Sequence, residues 1–315
     1  MYDLTNTPNP HTTQGAAGIS APNPTEAHHP AVVGSEQQKP PFLAMLREAL
    51  TEPGRISKAY TLFHAYSFGN ALWIAEQLDA RGEPLAPIAS FNRWKELGRV
   101  VKKGSKALCM SMPVTVKAKV DTKQAEGADP GTEDDSGRRV LFMVRRNWFA
   151  LHHTEPLDGS EPQAIETTTP DWNAQRALAS LDITREDFQH TNGNVQGYAK
   201  PDARRVAVSP LAVNPTKTLF HEIAHCLLHS EQARIEDAAE LTRSLAEVEA
   251  ESVAYLCCAV LGLPGLEEAR GYVQDWLAGS GCDAETFTEQ HARRVLGAVD
   301  KILKAGKPAT TETEN

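Results

Sequence analysis

The sequence predicts an α+β protein, with helices and strands mixed in its first half and mainly helices in its second. Apolar residues recur at helical spacing soon after residue 41, which favours helices there. Residues 139–151 instead hold β-branched and aromatic residues, which are typical of a strand. From residue 171 onward helical patterns dominate, apart from one short strand at residues 206–209.

Composition divides the chain of 315 residues into a polar arm, two domains joined by a linker, and a tail. In order, these are residues 1–40, 41–155, 156–170, 171–304 and 305–315. The arm is rich in Pro, Thr, Asn and Gly, which predicts disorder. Within the first domain, residues 121–137 form an acidic, Gly-rich insertion that we expect to be an exposed loop. The polar tail is expected to be mobile.

Three helices are predicted in the first domain. The first covers residues 42–49, and the Pro-Gly pair at residues 53–54 is expected to end it. The second covers residues 70–78 and begins at Asn70, a residue type suited to an N-cap. The third is short, covers residues 90–99 and is ended by a glycine.

Two strands are predicted after these helices. A turn at residues 102–104 leads into a strand at residues 107–112, which residues 114–120 can extend. The strand at residues 139–151 follows the acidic insertion. Because the two are neighbours along the chain, we expect them to pair across that insertion.

The second domain is predicted to contain one short strand, at residues 206–209, among five helices. The helices are expected at residues 172–181, 218–230, from there to about 261, 268–278 and 284–304. A Gly-Leu-Pro-Gly sequence after residue 261 is expected to end the third of them.

The helix over residues 218–230 contains the string His-Glu-x-x-His. Residues four apart lie on nearly the same face of an α-helix, so His221 and His225 can direct two imidazoles at one ion. One Zn²⁺ per chain suits this arrangement, because three protein ligands leave one position for a water that Glu222 can polarise. The alternative is a buried amphipathic helix with two core histidines, each of which would need a polar partner.

Two histidines do not hold zinc tightly, so a third ligand from another element is needed. The following helix offers three glutamates at alternate positions. We predict Glu247 as the ligand and Glu251 as the hydrogen-bond partner of a ligand histidine, although spacing alone does not separate these two roles. Glu249 is expected to point away from the site, and His229 to be a structural or supporting histidine. The alternative is that these carboxylates form the polar face of a surface helix.

Charge and cysteine content narrow the function classes. The net charge is −9, yet residues 41–119 hold twelve Arg and Lys against six Asp and Glu, which suggests a polyanion partner for this segment. The five cysteines lack metal-binding or disulfide spacing and indicate reduced thiols in a cytoplasmic protein. No apolar run is long enough to predict a membrane span, and the first twenty residues lack a secretory pattern.

Two groups of motifs together resemble the ArdC-type antirestriction proteins. In the first half the matching residues are Tyr66, Ser67, Asn70, Gln77, the stretches 91–94 and 97–104, Pro113, Trp148, Phe149, Thr154 and Glu155. In the second half they are Gly197, Tyr198, the stretch 218–225, Glu247, Ala250 and Glu251. The first group resembles the family's α+β domain that binds single-stranded DNA. The second resembles its mainly helical, zincin-like metallopeptidase domain, which is akin to the ImmA/IrrE-like metallopeptidases.

The resemblance implies a role and partners. Proteins of this family belong to plasmids, phages and other mobile elements, and they protect incoming DNA from host restriction enzymes. We therefore expect binding of single-stranded DNA without strong sequence preference, and zinc-dependent cleavage of a protein or peptide substrate with Glu222 as the base. The alternatives are a regulatory metallopeptidase that cuts one specific protein, such as a repressor, and a DNA-binding protein whose zinc is structural.

Single strands are bound by a positive groove that follows the backbone and by aromatic faces that stack on bases. We predict DNA contacts at Asn70, Phe91, Arg93, Trp94, Lys95, Arg99, Lys102, Lys103 and Lys106. The turn at Gly104 would let the protein backbone approach a phosphate closely. The alternative is that Trp94 is a core residue and that the lysines form a solvated face.

Overall fold

The computed structural model describes residues 40–117, 138–157, 171–190, 195–237, 242–264, 266 and 287–308. The predicted arm up to residue 39, the acidic insertion, the linker from residue 158 and the helix at residues 268–278 lie outside these residues. The tail is described as far as residue 308.

Within the described residues, helices and strands follow the predicted α+β order. The helices are α1 (Phe42–Thr51), α2 (Pro53–Phe63), α3 (Phe68–Asp79), α4 (Phe91–Glu96), α5 (Ala174–Ser180), α6 (Pro215–Leu228), α7 (Glu231–Asp237), α8 (Arg243–Leu261) and α9 (Glu289–Ala305). The strands are β1 (Ile88–Ser90), β2 (Arg99–Val101), β3 (Leu108–Lys117), β4 (Arg138–Ala150), β5 (Thr154–Pro156), β6 (Thr184–Arg185), β7 (Gly197–Lys200) and β8 (Arg205–Val208).

The two longest strands form the predicted hairpin. β3 and β4 pair antiparallel, from Leu108 opposite Trp148 to Lys117 opposite Arg138. β1 pairs with the other side of β4, which gives the strand order β1-β4-β3. β2 and β5 form a separate two-stranded pair beside α4.

Helix α3 covers the outer edge of β3 with two side-chain amides. Asn70 donates to the carbonyl oxygen of Ser111 (2.9 Å) and accepts its N–H (2.8 Å). Gln77, two turns later, makes the same two bonds with Cys109, at 2.9 and 2.8 Å. These bonds pair backbone groups that a sheet edge otherwise leaves open. The predicted cap is therefore wrong: α3 is capped by Ser67, whose hydroxyl accepts the N–H of Asn70.

The Pro-Gly pair at residues 53–54 begins a helix, which the sequence analysis did not predict. α1 ends at Thr51, and α2 has Pro53 in its first turn. Proline is accepted there because the N–H it lacks would have no partner within the helix. The pair therefore separates two helices that both pack into the core.

One apolar core joins helices from both halves of the chain. α1 and α2 pack against α8, and α1 and α3 pack against α9. Tyr255 of α8 is buried and donates its hydroxyl to the carbonyl oxygen of Leu50 (3.3 Å). The N–H of Phe68, at the start of α3, donates to Asp300 of α9 (2.8 Å). The predicted domains thus share packing, and the boundary at residues 156–170 remains a prediction.

A second, smaller sheet supports α6. Its strand order is β6-β8-β7, with β6 parallel and β7 antiparallel to the central β8. β8 confirms the predicted strand at residues 206–209 to within one residue, whereas β6 and β7 were not predicted. Both β7 and β8 contact α6, so the sheet holds this helix from one side.

The helix predicted to run to about residue 261 is two helices, α7 and α8. Thr242 caps α8 by accepting the N–H of Leu245 (3.3 Å), and Gly262 ends it in the left-handed conformation, as predicted. α9 confirms the existence of the predicted last helix, which begins at Glu289, five residues later than expected. None of the described helices combines the length and the apolar character that a membrane span requires.

Candidate metal centre and nucleic-acid interface

The orientation of α6 is set by the apolar side chains that it buries. These include Leu219, Phe220, Ile223, Ala224 and Leu228. They lie against the second sheet and the helical core, in which α6 packs closely against α8. The remaining face of α6 carries His221 and His225, one turn apart, and directs both rings toward α8.

Three nitrogen and oxygen atoms converge between α6 and α8. The Nε2 atoms of His221 and His225 lie 3.1 Å apart, and Glu247 Oε2 lies 3.4 and 3.8 Å from them. Zinc held tetrahedrally at about 2.0–2.1 Å from each ligand would separate the ligand atoms by about 3.3 Å. The donor set and its spacing therefore fit a zinc ion. The ligand roles of these three residues remain predictions.

Glu251 lies on the opposite side of the His221 ring. Its Oε2 is 3.2 Å from His221 Nδ1, and its other oxygen pairs with Lys217. A carboxylate in this position orients the histidine and leaves Nε2 directed at the site. The geometry thus favours Glu247 as the third ligand and Glu251 as the supporting carboxylate.

Without an ion, a proton takes the cation's place among these groups. Burial lowers the pKa of His221, but hydrogen bonds with Glu247 and Glu251 outweigh that effect and raise this pKa to about 9. The hydrogen bond with His221 holds the pKa of Glu247 far below its ordinary value, and the nearby His225 acts in the same direction. His221 is therefore an imidazolium between two carboxylates near neutral pH, a charge pattern that a divalent cation also satisfies.

Glu222 lies beside a cleft of about 280 Å³. The cleft is lined by Val195, Gln196, Gly197, Lys217, Thr218, His221, Glu222 and Glu251. Burial raises the pKa of Glu222, while His221 and His225 oppose that rise. A buried carboxylate of raised pKa at the wall of a cleft is suited to take up and release a proton.

A second group of candidate ligands, Glu83, His152 and His153, lies in the first half. His153 Nδ1 accepts the N–H of Ala150 (3.0 Å), so its Nε2 carries the proton that is donated to Glu83 (2.8 Å). A ring nitrogen that carries a proton has no lone pair for a metal. These residues therefore form hydrogen bonds that join the turn after β4 to the loop between α3 and β1.

Most of the predicted DNA contacts lie at the surface. Arg93, Lys95, Lys102, Lys103 and Lys106 are exposed. Phe91 is half-buried, with Lys95 Nζ 4.8 Å from its ring centre. The half-buried Arg99 donates to the Thr154 hydroxyl (2.8 Å), which leaves it less free to reach a phosphate. Their contacts with DNA remain predictions.

The predicted contacts at Asn70 and Trp94 are corrected to structural roles. Asn70 is 7% exposed and both ends of its amide bind the backbone of Ser111. Trp94 is 1% exposed and donates its indole N–H to the carbonyl oxygen of Phe149 (2.9 Å). Because neither side chain presents a free face, neither can stack on or bond to a base. The alternative interpretation of Trp94 as a core residue is the correct one.

Two sets of residues escaped the sequence analysis. Arg145 and Arg146 are exposed on β4 opposite Met110 and Cys109, and the signal was an arginine pair in the middle of a strand rich in apolar residues. Glu249 points away from the candidate metal site, and it is fully buried and bonds to His229 and to Arg294 of α9, partners that were not predicted.

Comparison with known proteins finds a family match within the first half of the chain. Residues 47–148 match the family model for the N-terminal domain of anti-restriction factor ArdC, which confirms the resemblance to ArdC-type proteins over this stretch. The chain is also similar to the metal-free crystal structure of antirestriction ArdC protein from plasmid R388, at 17% identity and a TM-score of 0.45, over 84% of this chain and 94% of that one. The Mn(II)-bound structure of the same protein gives 16% identity and a TM-score of 0.46, over 86% and 99%. No curated protein gives a significant match.

The close approach of β7 to Glu222 depends on Gly197. A Cβ atom at this position would lie 2.6 Å from Thr218 Cγ2, 2.8 Å from Glu222 Oε1 and 3.0 Å from the carbonyl oxygen of Ala207. We expect Gly197→Ala to lower the thermal unfolding midpoint, because the backbone carbonyl cannot move aside cheaply. Gly297→Ala is the matched control, since a Cβ there meets nothing within 4 Å. Equal midpoints for the two variants would contradict the role of Gly197.

Proposed function

We propose that this chain is an ArdC-type antirestriction protein that binds single-stranded DNA with its N-terminal half and carries a zinc-dependent peptidase in its C-terminal half. The family match of residues 47–148 supports the first part. The convergence of His221, His225 and Glu247 is the observation that carries the second. The biological role would be protection of the incoming DNA of a mobile element from restriction.

The chain's own residues support peptide hydrolysis. Zinc bound by the three ligands would act as a Lewis acid on a peptide carbonyl and make water more acidic. Glu222 would accept the proton of the attacking water and deliver it to the leaving amine. Its position beside the cleft, and the rise of its pKa caused by burial, suit both steps.

The edge of β7 beside the cleft is a candidate site for an extended peptide. Among the described strands, β7 pairs only with β8, so its other edge has no partner among those strands. Gly197, the first residue of β7, lines the cleft beside Glu222. A substrate strand added to that edge would bring a peptide bond next to the catalytic carboxylate.

An active peptidase is favoured over a structural zinc site. Structural zinc is held by four protein ligands in a closed site, whereas a catalytic site keeps one position open. Here three candidate ligands converge beside a cleft. Glu222 lines the same cleft, and a structural site would not need this additional carboxylate.

Exposed cations support the DNA-binding part of the proposal. Lys102 and Lys103 precede the turn at Gly104, whose φ of 89° requires glycine. With Arg93, Lys95 and Lys106 they place five positive side chains at the surface of a short segment. Such a surface attracts the phosphate backbone without reading sequence.

We expect Glu222→Gln to abolish peptide cleavage while zinc content and DNA affinity stay unchanged, since Glu222 is not a ligand. The loss should be about 10²- to 10⁴-fold, the usual contribution of a general base. Cleavage of a mixture of short peptides, followed by mass spectrometry, measures it, and Glu231→Gln at an exposed position is the control. Unchanged cleavage by Glu222→Gln, or no cleavage by zinc-loaded wild type, would contradict the peptidase.

The same variant separates the antirestriction role from that of a regulatory peptidase. If protection of DNA in cells persists in Glu222→Gln, DNA binding carries the protective effect. If protection is abolished, cleavage of a protein is required for it, which is the behaviour of a regulatory peptidase.

Replacing Lys102 and Lys103 together by Gln should weaken binding to single-stranded DNA uniformly across sequences. For every phosphate that the double variant no longer neutralises, the slope of log affinity against log salt should become shallower by about 0.7. Titration of a fluorescent oligonucleotide at several salt concentrations measures both effects. The control replaces the exposed Lys58 and Lys301, which lie outside this segment. Equal salt slopes for the two double variants would exclude the turn as a DNA-binding element.

A further inference from the structure

A chain of buried polar groups leads from the metal centre to α9. His225 Nδ1 lies 2.8 Å from His229 Nδ1, and His229 Nε2 lies 2.9 Å from Glu249 Oε2. Arg294 donates from Nε to Glu249 Oε1 (3.0 Å) and from Nη2 to the carbonyl oxygen of Leu228 (2.6 Å). The side chains of His229, Glu249 and Arg294 are 6%, 0% and 5% exposed.

The directions of these hydrogen bonds follow from the chemistry of the groups. A carboxylate only accepts, so His229 donates its Nε2 proton to Glu249. In the neutral imidazole, His229 Nδ1 is then an acceptor and can only receive the Nδ1 proton of His225. This leaves His225 Nε2 with its lone pair, directed at His221 and Glu247.

The two histidines of the candidate metal centre are thus oriented by different routes. His221 is oriented directly by Glu251, which lies 3.2 Å from its Nδ1. His225 is one turn further along α6, and its Nδ1 meets His229 instead of a carboxylate. His229 bridges the distance to Glu249, and Arg294 holds Glu249 in place from α9.

We infer that His229 and Glu249, held by Arg294, are positioning residues that fix the tautomer and ring orientation of His225 so that its Nε2 faces the metal. The inference rests on the proposed metal centre and extends it by three residues. Groups that orient a ligand histidine in this way are worth about 10- to 100-fold in metal affinity.

A purely structural role would also bury these groups, because they tie α6, α8 and α9 together. Two substitutions at His229 separate the roles. Asparagine offers an amide oxygen close to where His229 Nδ1 lies, so it keeps an acceptor for His225. Leucine has a similar size and no acceptor. Both remove the bond to Glu249, so both should lower thermal stability by a similar amount.

The test is a competition for Zn²⁺ between the full chain and a chromophoric chelator. We expect His229→Asn to bind zinc within about threefold of wild type, and His229→Leu to bind about 10- to 100-fold more weakly. Equal affinities of the two variants, at equal thermal stability, would overturn the positioning role while leaving the metal centre intact. Failure of wild type to bind zinc would overturn the metal centre itself, and the positioning role with it.

A second measurement needs no variant. Long-range proton–nitrogen NMR spectra of the metal-free wild type report which ring nitrogen of each histidine carries the proton. The inference requires a proton on His225 Nδ1 and none on His229 Nδ1. The reverse assignment at either residue would overturn it, even if His229→Leu does not fold.

Discussion

The packing of α6 against α8 is the constraint on which the site depends. The histidines of α6 are brought to a glutamate of α8 only because apolar side chains on both helices are buried in the same core. That burial fixes the rotation of each helix, and rotation decides which polar residues meet. The convergence of the candidate ligands is therefore a product of hydrophobic packing that includes helices from both halves of the chain.

Three glutamates at alternate positions of α8 have three different surroundings. Glu247 approaches His221 Nε2 at the candidate metal position, Glu251 lies beside His221 Nδ1, and Glu249 faces the opposite direction into a buried pair with Arg294. A buried ion pair between a carboxylate and a guanidinium is costly to break, because removal of one partner leaves the other charge buried without a partner. This pair lies at the C-terminal end of α6, where Glu249 is also hydrogen-bonded to His229.

Features that depend on a local sequence pattern were predicted, whereas several contacts between residues distant in sequence were missed. The i, i+4 histidines and the β3–β4 hairpin are local patterns, and both were found. Glu249 points away from the candidate metal site as expected, but its partner Arg294 was missed because it is 45 residues away in sequence and gives no local signal. Asn70 was taken as a cap because a helix began nearby, whereas its amide is used by an edge strand 41 residues later. Trp94 was ambiguous because a short helix shows no clear buried face until the sheet covers it.

The central claim is that one ion is held by His221, His225 and Glu247. The direct measurement is anomalous diffraction at the zinc absorption edge from crystals grown with one equivalent of Zn²⁺. The account predicts one anomalous peak per chain at about 2.0–2.2 Å from the Nε2 atoms of His221 and His225 and from a carboxylate oxygen of Glu247. A peak bound elsewhere, or the absence of any peak at this position, would contradict it.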